Sequence, residues 1–468
     1  MMQRKGKALT ASMIALINVA AVCNIKNFPL LAEFGLSVVL FLALSAVFFF
    51  IPVAFVSSEL ASGWPDRGIY TWVREALGPR LGFLAVWLQW IENVIWYPTI
   101  LSFIAATFAY ILNPDLATNN FYVMTVILVA FWASTLVNFL GMRVSGWISS
   151  VTALLGTIVP IALIIVLGVG WIWRGNPSQI AFSWKGMLPD LTSLNQLVLL
   201  SGVLLGLAGM EMSAVHARDV RDPRRDYPKG ILLSAALILV FSTLGALAIG
   251  AIVPASQIQL ASGGMEAFRY LFQELGISWA VHIVAAVTTI GALGMMSTWI
   301  VGPSRGLYAT AMHGDLPPVF HKANRHGMPV SILIAQAVIV SILSLVFLLM
   351  PTVNSSYWIL VALASILYQV MYVLMFISAI VLRYKQPEVH RVFRIPFGNA
   401  GLWVVSILGI IGSLFGFVFG FFPPGQFDTG KLLFFESFLI GGTLLFVIAP
   451  LLIYAARKPA WHLKQDKE

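Results

Sequence analysis

Charge is what this sequence has least of. Of its 468 residues only 10% are Asp, Glu, Lys or Arg, while 59% are hydrophobic; an ordinary soluble domain is about a quarter charged. That scarcity excludes a water-soluble globule and points to an integral membrane protein. Cysteine is nearly absent, and the single Cys23 cannot close an intrachain disulfide. His216, His282, His313 and His321 do not assemble with Cys23 or any carboxylate at ligand spacing, and no nucleophile motif appears. No metal, no cofactor and no enzymatic activity are therefore expected. Long polar stretches are missing as well: the longest connections, near 173–193, 255–277 and 384–400, are too short to bury the core of a soluble domain. The string VAAVC imitates a lipoprotein cleavage box, but Val22 is large and the apolar run resumes beyond Cys23, so no processed leader is expected.

Apolar runs are what the chain has in abundance. A helix crossing about 30 Å of hydrocarbon needs about 20 apolar residues. Twelve runs of that order occur, at 9–34, 36–60, 81–112, 121–141, 146–173, 194–218, 230–254, 278–311, 329–350, 357–383, 401–422 and 432–456. With the N-terminus placed in the cytoplasm and the runs alternating, 23 of the 28 Lys and Arg fall on the cytoplasmic side. Arg174, Lys185, Arg269 and Lys431 fall outside, and Lys26 lies within a run. This asymmetry is the positive-inside pattern of a multi-pass protein with both termini cytoplasmic. The net charge of +9 is thus topological rather than a nucleic-acid footprint. RDPRRDYPKG (221–230) and RYKQPEVHR (383–391) read as basic turns that fix topology and approach anionic lipid.

Two runs depart from a plain apolar rod. The first is interrupted at Asn24-Ile25-Lys26-Asn27, just before Pro29, and the sixth at Gly206-Leu-Ala-Gly209-Met210-Glu211-Met212-Ser213. They stand five runs apart, the spacing of two five-helix halves that share a plan in opposite orientation. Paired interruptions in corresponding helices point to a transporter site, because unwound backbone inside a membrane persists only where it lines a cavity or is buried in protein. Broken ends suit a zwitterion: free N–H groups face a carboxylate and free carbonyls face an ammonium. Gly206 and Gly209 alone read as close helix packing, but Glu211 at membrane depth calls for a cavity or a partner. Lys26 reads either as snorkelling to the interface or as lining the cavity, where it pairs with Glu211 in the empty site or meets an acidic group on the substrate. In the third run Glu92 and Asn93 are adjacent, and the sequence does not decide which faces inward.

The strings GMEMSAVHARDVRDPRRDYP (209–228), STWIVGPSRGLYATAMHGDLPPVF (297–320) and FFIPVAFVSSELASGWPDRGIYTWVREALGPRLGF (49–83) resemble the amino acid–polyamine–organocation superfamily. Within it, the likeness is greatest to the bacterial glutamate/4-aminobutyrate antiporters, over nearly the whole chain. The resemblance implies an all-α membrane protein of twelve transmembrane helices with a five-plus-five inverted repeat, the leucine-transporter-like fold, with helices 1 and 6 broken. Residues 8–173 would form the first repeat, 194–383 the second and 401–456 two additional helices, in a single transmembrane domain. It further implies exchange of an external amino acid for an internal one across a bacterial inner membrane. Carried over by position, Gly209 and Glu211 fall on the glycine–glutamate motif of helix 6, with Glu211 the gating or proton-linked acid. Trp299 falls on the tryptophan that covers the substrate, and Asn93 on the helix 3 asparagine. Lys26 replaces part of the family's Gly-Ser-Gly run, and Leu205 stands where many members carry an aromatic.

The binding set expected from residues and resemblance together is Asn24, Ile25, Lys26, Asn27, Asn93, Gly209, Met210, Glu211, Met212, Ser213 and Trp299, with Lys26, Glu211 and Trp299 as gating groups. Sodium coupling could use the hydroxyls of Ser297 and Thr298, but Lys26 would repel a cation. A helix 5 lysine, used by some proton-coupled relatives, is missing from Trp147 to Trp173. Only residues 457–468 follow the last run, with His462 among them, so plug-type pH gating is not expected. Antiport of amino acids leads; a proton-coupled amino acid or polyamine symporter or uniporter is the alternative. Substrate and lipid are the expected partners, with no nucleic acid; monomer and homodimer stay open.

Overall fold

The computed structural model describes residues 9–64, 68–141, 156, 158–213, 220, 226–426 and 428–461. Among these the fold is all helical, with a lone bridge between Leu9 and Val220 in place of any strand. In chain order the helices are α1 (Ala11–Val22), α2 (Phe28–Ala32), α3 (Val38–Ser45), α4 (Ile51–Gly63), α5 (Ile69–Leu77), α6 (Pro79–Leu112), α7 (Asn120–Asn138) and α8 (Val159–Trp173). There follow α9 (Leu194–Gly206), α10 (Met210–Ser213), α11 (Asp226–Ile252), α12 (Gly263–Glu274), α13 (Ala280–Ala311), α14 (Val330–Ser344), α15 (Val353–Lys385), α16 (Gly398–Phe419) and α17 (Leu432–Ala455). Nine helical spans among the described residues are long and apolar enough to cross a membrane, two of them running through more than one helix (Gly35–Gly63, with α3 and α4, and Val330–Leu349, with α14), while α8 and α9 are shorter. Parts of the fifth and sixth apolar runs, with His216, residues 221–225 of the 221–230 turn and His462, lie outside the described residues.

Burial sorts the helices into layers. The apolar windows of α6 and α15 are 83% buried, whereas that of α17 is 17% buried, so α6 and α15 form the centre and α17 presents most of its surface outward. α6 packs on both α13 and α15, and α15 also packs on α16. The amphipathic α5 turns Ile69, Tyr70, Trp72 and Val73 inward and lies against α6 and α15.

Local chemistry explains where the rods bend. Pro52, in the first turn of α4, has no N–H and its ring would strike the carbonyl four residues back, so the chain passes from α3 to α4 through a wide π turn at Ala46–Phe50. The carbonyl released is that of Phe48, and α16 meets it with Gly412, where an added Cβ would lie 2.3 Å from the oxygen.

The first rod stops at Cys23, whose backbone is extended, as is that of Asn24. Asn24 Oδ1 accepts from the N–H of Lys26 at 3.0 Å, a side-chain substitute for a helical bond that asparagine offers outside helices. A single 3₁₀ turn, Ile25–Asn27, then restarts the helix with Pro29 in the first turn of α2, where its missing donor costs nothing. The rod containing α9 ends at Gly206, and Gly209 takes φ 115° before α10 begins. That backbone is open to glycine and strained for other residues.

Candidate functional site

The two breaks touch. Asn27 Nδ2 donates to the carbonyl of Gly206 at 3.4 Å, satisfying an acceptor that the end of α9 leaves without a helical partner. A Cβ on Gly206 would lie 3.1 Å from that amide, so any larger residue there would press on the contact. Between the breaks lies a cavity of about 60 Å³, lined also by α6, α13 and α15.

Of the residues expected from sequence, Asn24, Lys26, Asn27, Asn93 and Trp299 line this cavity, and Glu92 lines it beside Asn93. Ile25 is buried away from it, with its side chain next to Gly264 of α12. Gly209 sits behind Trp299, whose ring lies 3.3 Å from where a Cβ would be. Met210 and Glu211 are buried beyond the cavity wall. The side chains of Met212, Ser213 and Thr298 lie outside the described residues. Ser297, considered as an ion ligand, receives Asn138 Nδ2 of α7 at 3.3 Å instead.

Lys26 is 3% exposed. Its ammonium stands 5.0 Å from the Trp96 ring centroid and 5.4 Å from that of Tyr357, within the range of cation–π attraction. Glu92, 4% exposed, accepts from Asn93 Nδ2 at 2.9 Å through Oε2. Asn93 also donates to Gln89 O at 2.9 Å, which fixes its orientation along α6.

Glu211 corrects the expectation that it pairs with Lys26. Among the described residues no ion pair joins the two; the carboxylate is held by α15. Tyr368 donates its hydroxyl to Oε1 and Tyr372 donates to Oε2 at 2.7 Å. Tyr372 in turn accepts from the N–H of Gly209 at 3.1 Å. The N–H of Gly209 is thus spent inside the protein rather than offered to a ligand. Two phenol donors suit a carboxylate that a lysine would otherwise have to neutralise.

Sequence reasoning missed the contribution of α15. Tyr357, Val361 and Tyr368 line the cavity, and Tyr372 lies one turn beyond. The signal was present: 357, 361, 365, 368 and 372 follow a three-to-four residue spacing that puts them on one helix face, with hydroxyls at four of the five. A second correction concerns the basic turn at 383–391. Arg383 and Arg391 do not reach for lipid; both are buried against Glu59 of α4.

The comparisons with known proteins agree in kind. The amino acid permease family model matches residues 8–445. An uncharacterized transporter of Legionella pneumophila is 43% identical over 452 residues, covering 96% of this chain and 97% of its own. A glutamate/gamma-aminobutyrate antiporter of Lactococcus lactis is 28% identical over 461 residues, 97% of this chain and 90% of its own. A probable agmatine/putrescine antiporter of the same organism is 23% identical over 420 residues, 87% and 86% of the two chains.

Proposed function

This chain belongs to the amino acid permease family, within the amino acid–polyamine–organocation superfamily, and we propose that it is a secondary transporter exchanging one amino acid for another by alternating access. The observation that carries this reading is the meeting of two interrupted helices at a charged cavity: Asn27 reaches Gly206 O, and Lys26 and Glu92 face the space between. Unwound backbone at that depth is the hinge material of carriers that rock around a central site. In this reading the segments Asn24–Asn27 and Gly209–Ser213 are the moving walls, and Trp299 is the lid. Glu211, gripped by Tyr368 and Tyr372, reports opening through the loss of those bonds. Twelve spans in two five-helix repeats, 8–173 and 194–383, with 401–456 added, form one transport domain. Both ends face the cytoplasm of a bacterial inner membrane, as the 23 cytoplasmic Lys and Arg favour.

A proton-coupled symporter is the second reading, favoured by two buried acids, Glu92 and Glu211, at membrane depth. Reconstituted vesicles separate the two. Exchange predicts uptake of labelled amino acid only when unlabelled amino acid is inside, undiminished by a protonophore. Uptake into empty vesicles driven by an inward proton gradient would replace exchange by symport, and uptake of no amino acid or amine would overturn transport itself.

A further inference from the structure

Four backbone donors at the breaks are already engaged. The N–H of Lys26 goes to Asn24 Oδ1, that of Asn27 to Asn24 O, that of Phe28 to Ile25 O and that of Gly209 to Tyr372. A carboxylate entering the cavity therefore meets side chains in place of these four N–H groups. The cation there is Lys26, whose ammonium meets two aromatic faces and, among the described residues, no carboxylate within ion-pair distance. Glu92 commits Oε2 to Asn93, and its other oxygen carries no hydrogen bond among the described residues. Two buried, opposite charges thus face one small space with spare valence.

We propose that Lys26 and Glu92 read the two ends of a small zwitterion, Lys26 taking the carboxylate and Glu92 the ammonium, and that this pair makes the carrier reject amines without a carboxylate and dicarboxylates alike. The inference rests on the transport reading above and adds the substrate class. Size points the same way: about 60 Å³ holds on the order of five small groups, at about 10–15 Å³ each, the scale of alanine or serine rather than glutamate. Val22, Ala208, Met295 and Val361 supply apolar walls, and the other polar groups of the lining, Asn24, Asn27, Asn93, Tyr357 and Tyr368, include no second cation for the second carboxylate of glutamate. A diamine would bring a cation to within about 5 Å of the Lys26 ammonium, a repulsion on the order of 100-fold in affinity at protein-like dielectric. A polyamine carrier built on this cavity would not keep Lys26.

The test is competition for exchange in vesicles carrying the full-length protein. Labelled alanine is the tracer, and alanine, serine, 2-amino-1-propanol, propionate, glutamate and putrescine are the competitors. The expected result is competition by alanine and serine, with aminopropanol and putrescine weaker by about 100-fold and propionate and glutamate weaker by at least about 10-fold. Lys26→Met should shrink the aminopropanol penalty to about 10-fold or less, while Lys26→Arg keeps it. Glu92→Gln should weaken alanine more than propionate. Should Lys26→Met fail to fold, the wild-type ranking decides alone. Aminopropanol, putrescine or glutamate competing within about 3-fold of alanine would overturn the charge-pair proposal and leave transport standing. Exchange of amines alone would overturn it equally, and exchange of no compound in the panel would remove the transport reading beneath it.

Discussion

Replacing Glu59 by Gln should destabilise the protein far more than its place near a helix end suggests. Glu59 is 2% exposed, and its partners Arg383 and Arg391 are 7% and 5% exposed. Arg383 meets it through two bonds, Nε to Oε1 at 2.9 Å and Nη2 to Oε2 at 2.5 Å, Arg391 Nε stands 3.5 Å away, and the N–H of Ile395 donates to Oε2 at 2.8 Å. Gln keeps the shape but removes the counter-charge of two guanidiniums and turns an acceptor into a donor facing donors. Breaking a buried pair in this way costs about 3–5 kcal/mol; an exposed pair is worth about 0–1 kcal/mol. With an unfolding entropy of about 2.1 cal/mol/K per residue, a chain of 468 residues loses about 1 °C of melting temperature per kcal/mol. Glu59→Gln should therefore lower the melting temperature in detergent by about 3–5 °C, while Glu388→Gln, in the exposed part of the same turn, leaves it unchanged. Adding Arg383→Gln should cost less than the two single losses combined, because the residues share one network. A shift for Glu59→Gln below about 1 °C would refute the view that this cluster locks the end of α15 to α4.

Three further outcomes follow from geometry. Tyr372→Phe deprives both Gly209 N–H and Glu211 of a partner, about 1–3 kcal/mol, and should slow exchange at least about 10-fold in vesicle assays while far-ultraviolet circular dichroism stays helical. Gly209→Ala places a side chain at φ 115° and against Trp299, so exchange should fall to background; exchange at the wild-type rate would deny the break its strained turn. Gly245→Ala would put a Cβ 2.1 Å from the Phe28 ring, an overpacking cost of about 1–3 kcal/mol that Phe28→Leu should partly relieve in the melting temperature.

How much of this was legible in the sequence depends on range. The apolar runs and the two interruptions are local: Asn24 beside Pro29, and Gly206 three residues before Gly209, change backbone preference where they stand. The residues that complete the cavity are not local. Glu211 reads as a partner for Lys26 until α15, more than 150 positions away, supplies two tyrosines. The hydroxyl-bearing face of 357, 365, 368 and 372 was visible as a spacing, but such a face looks the same whether it meets packing or a site, so the spacing alone did not assign Tyr368 and Tyr372 to Glu211. Arg383 and Arg391 looked like topology signals because arginine after a span is one; their burial comes from Glu59, over 320 positions earlier. Lys26 is the converse, a residue whose departure from a family pattern marked the cavity directly.

The central claim, that substrate sits between the two broken helices, is tested most directly by thiol protection. Leu205 lines the cavity, and Cys23, the sole cysteine, is removed by Cys23→Ala so that Leu205→Cys is the one reactive site. The rate of alkylation at 205 should fall when the exchanged amino acid is present at saturation, with a Glu388→Cys control unaffected. Equal rates at position 205 with and without that amino acid would place the substrate elsewhere and contradict the account.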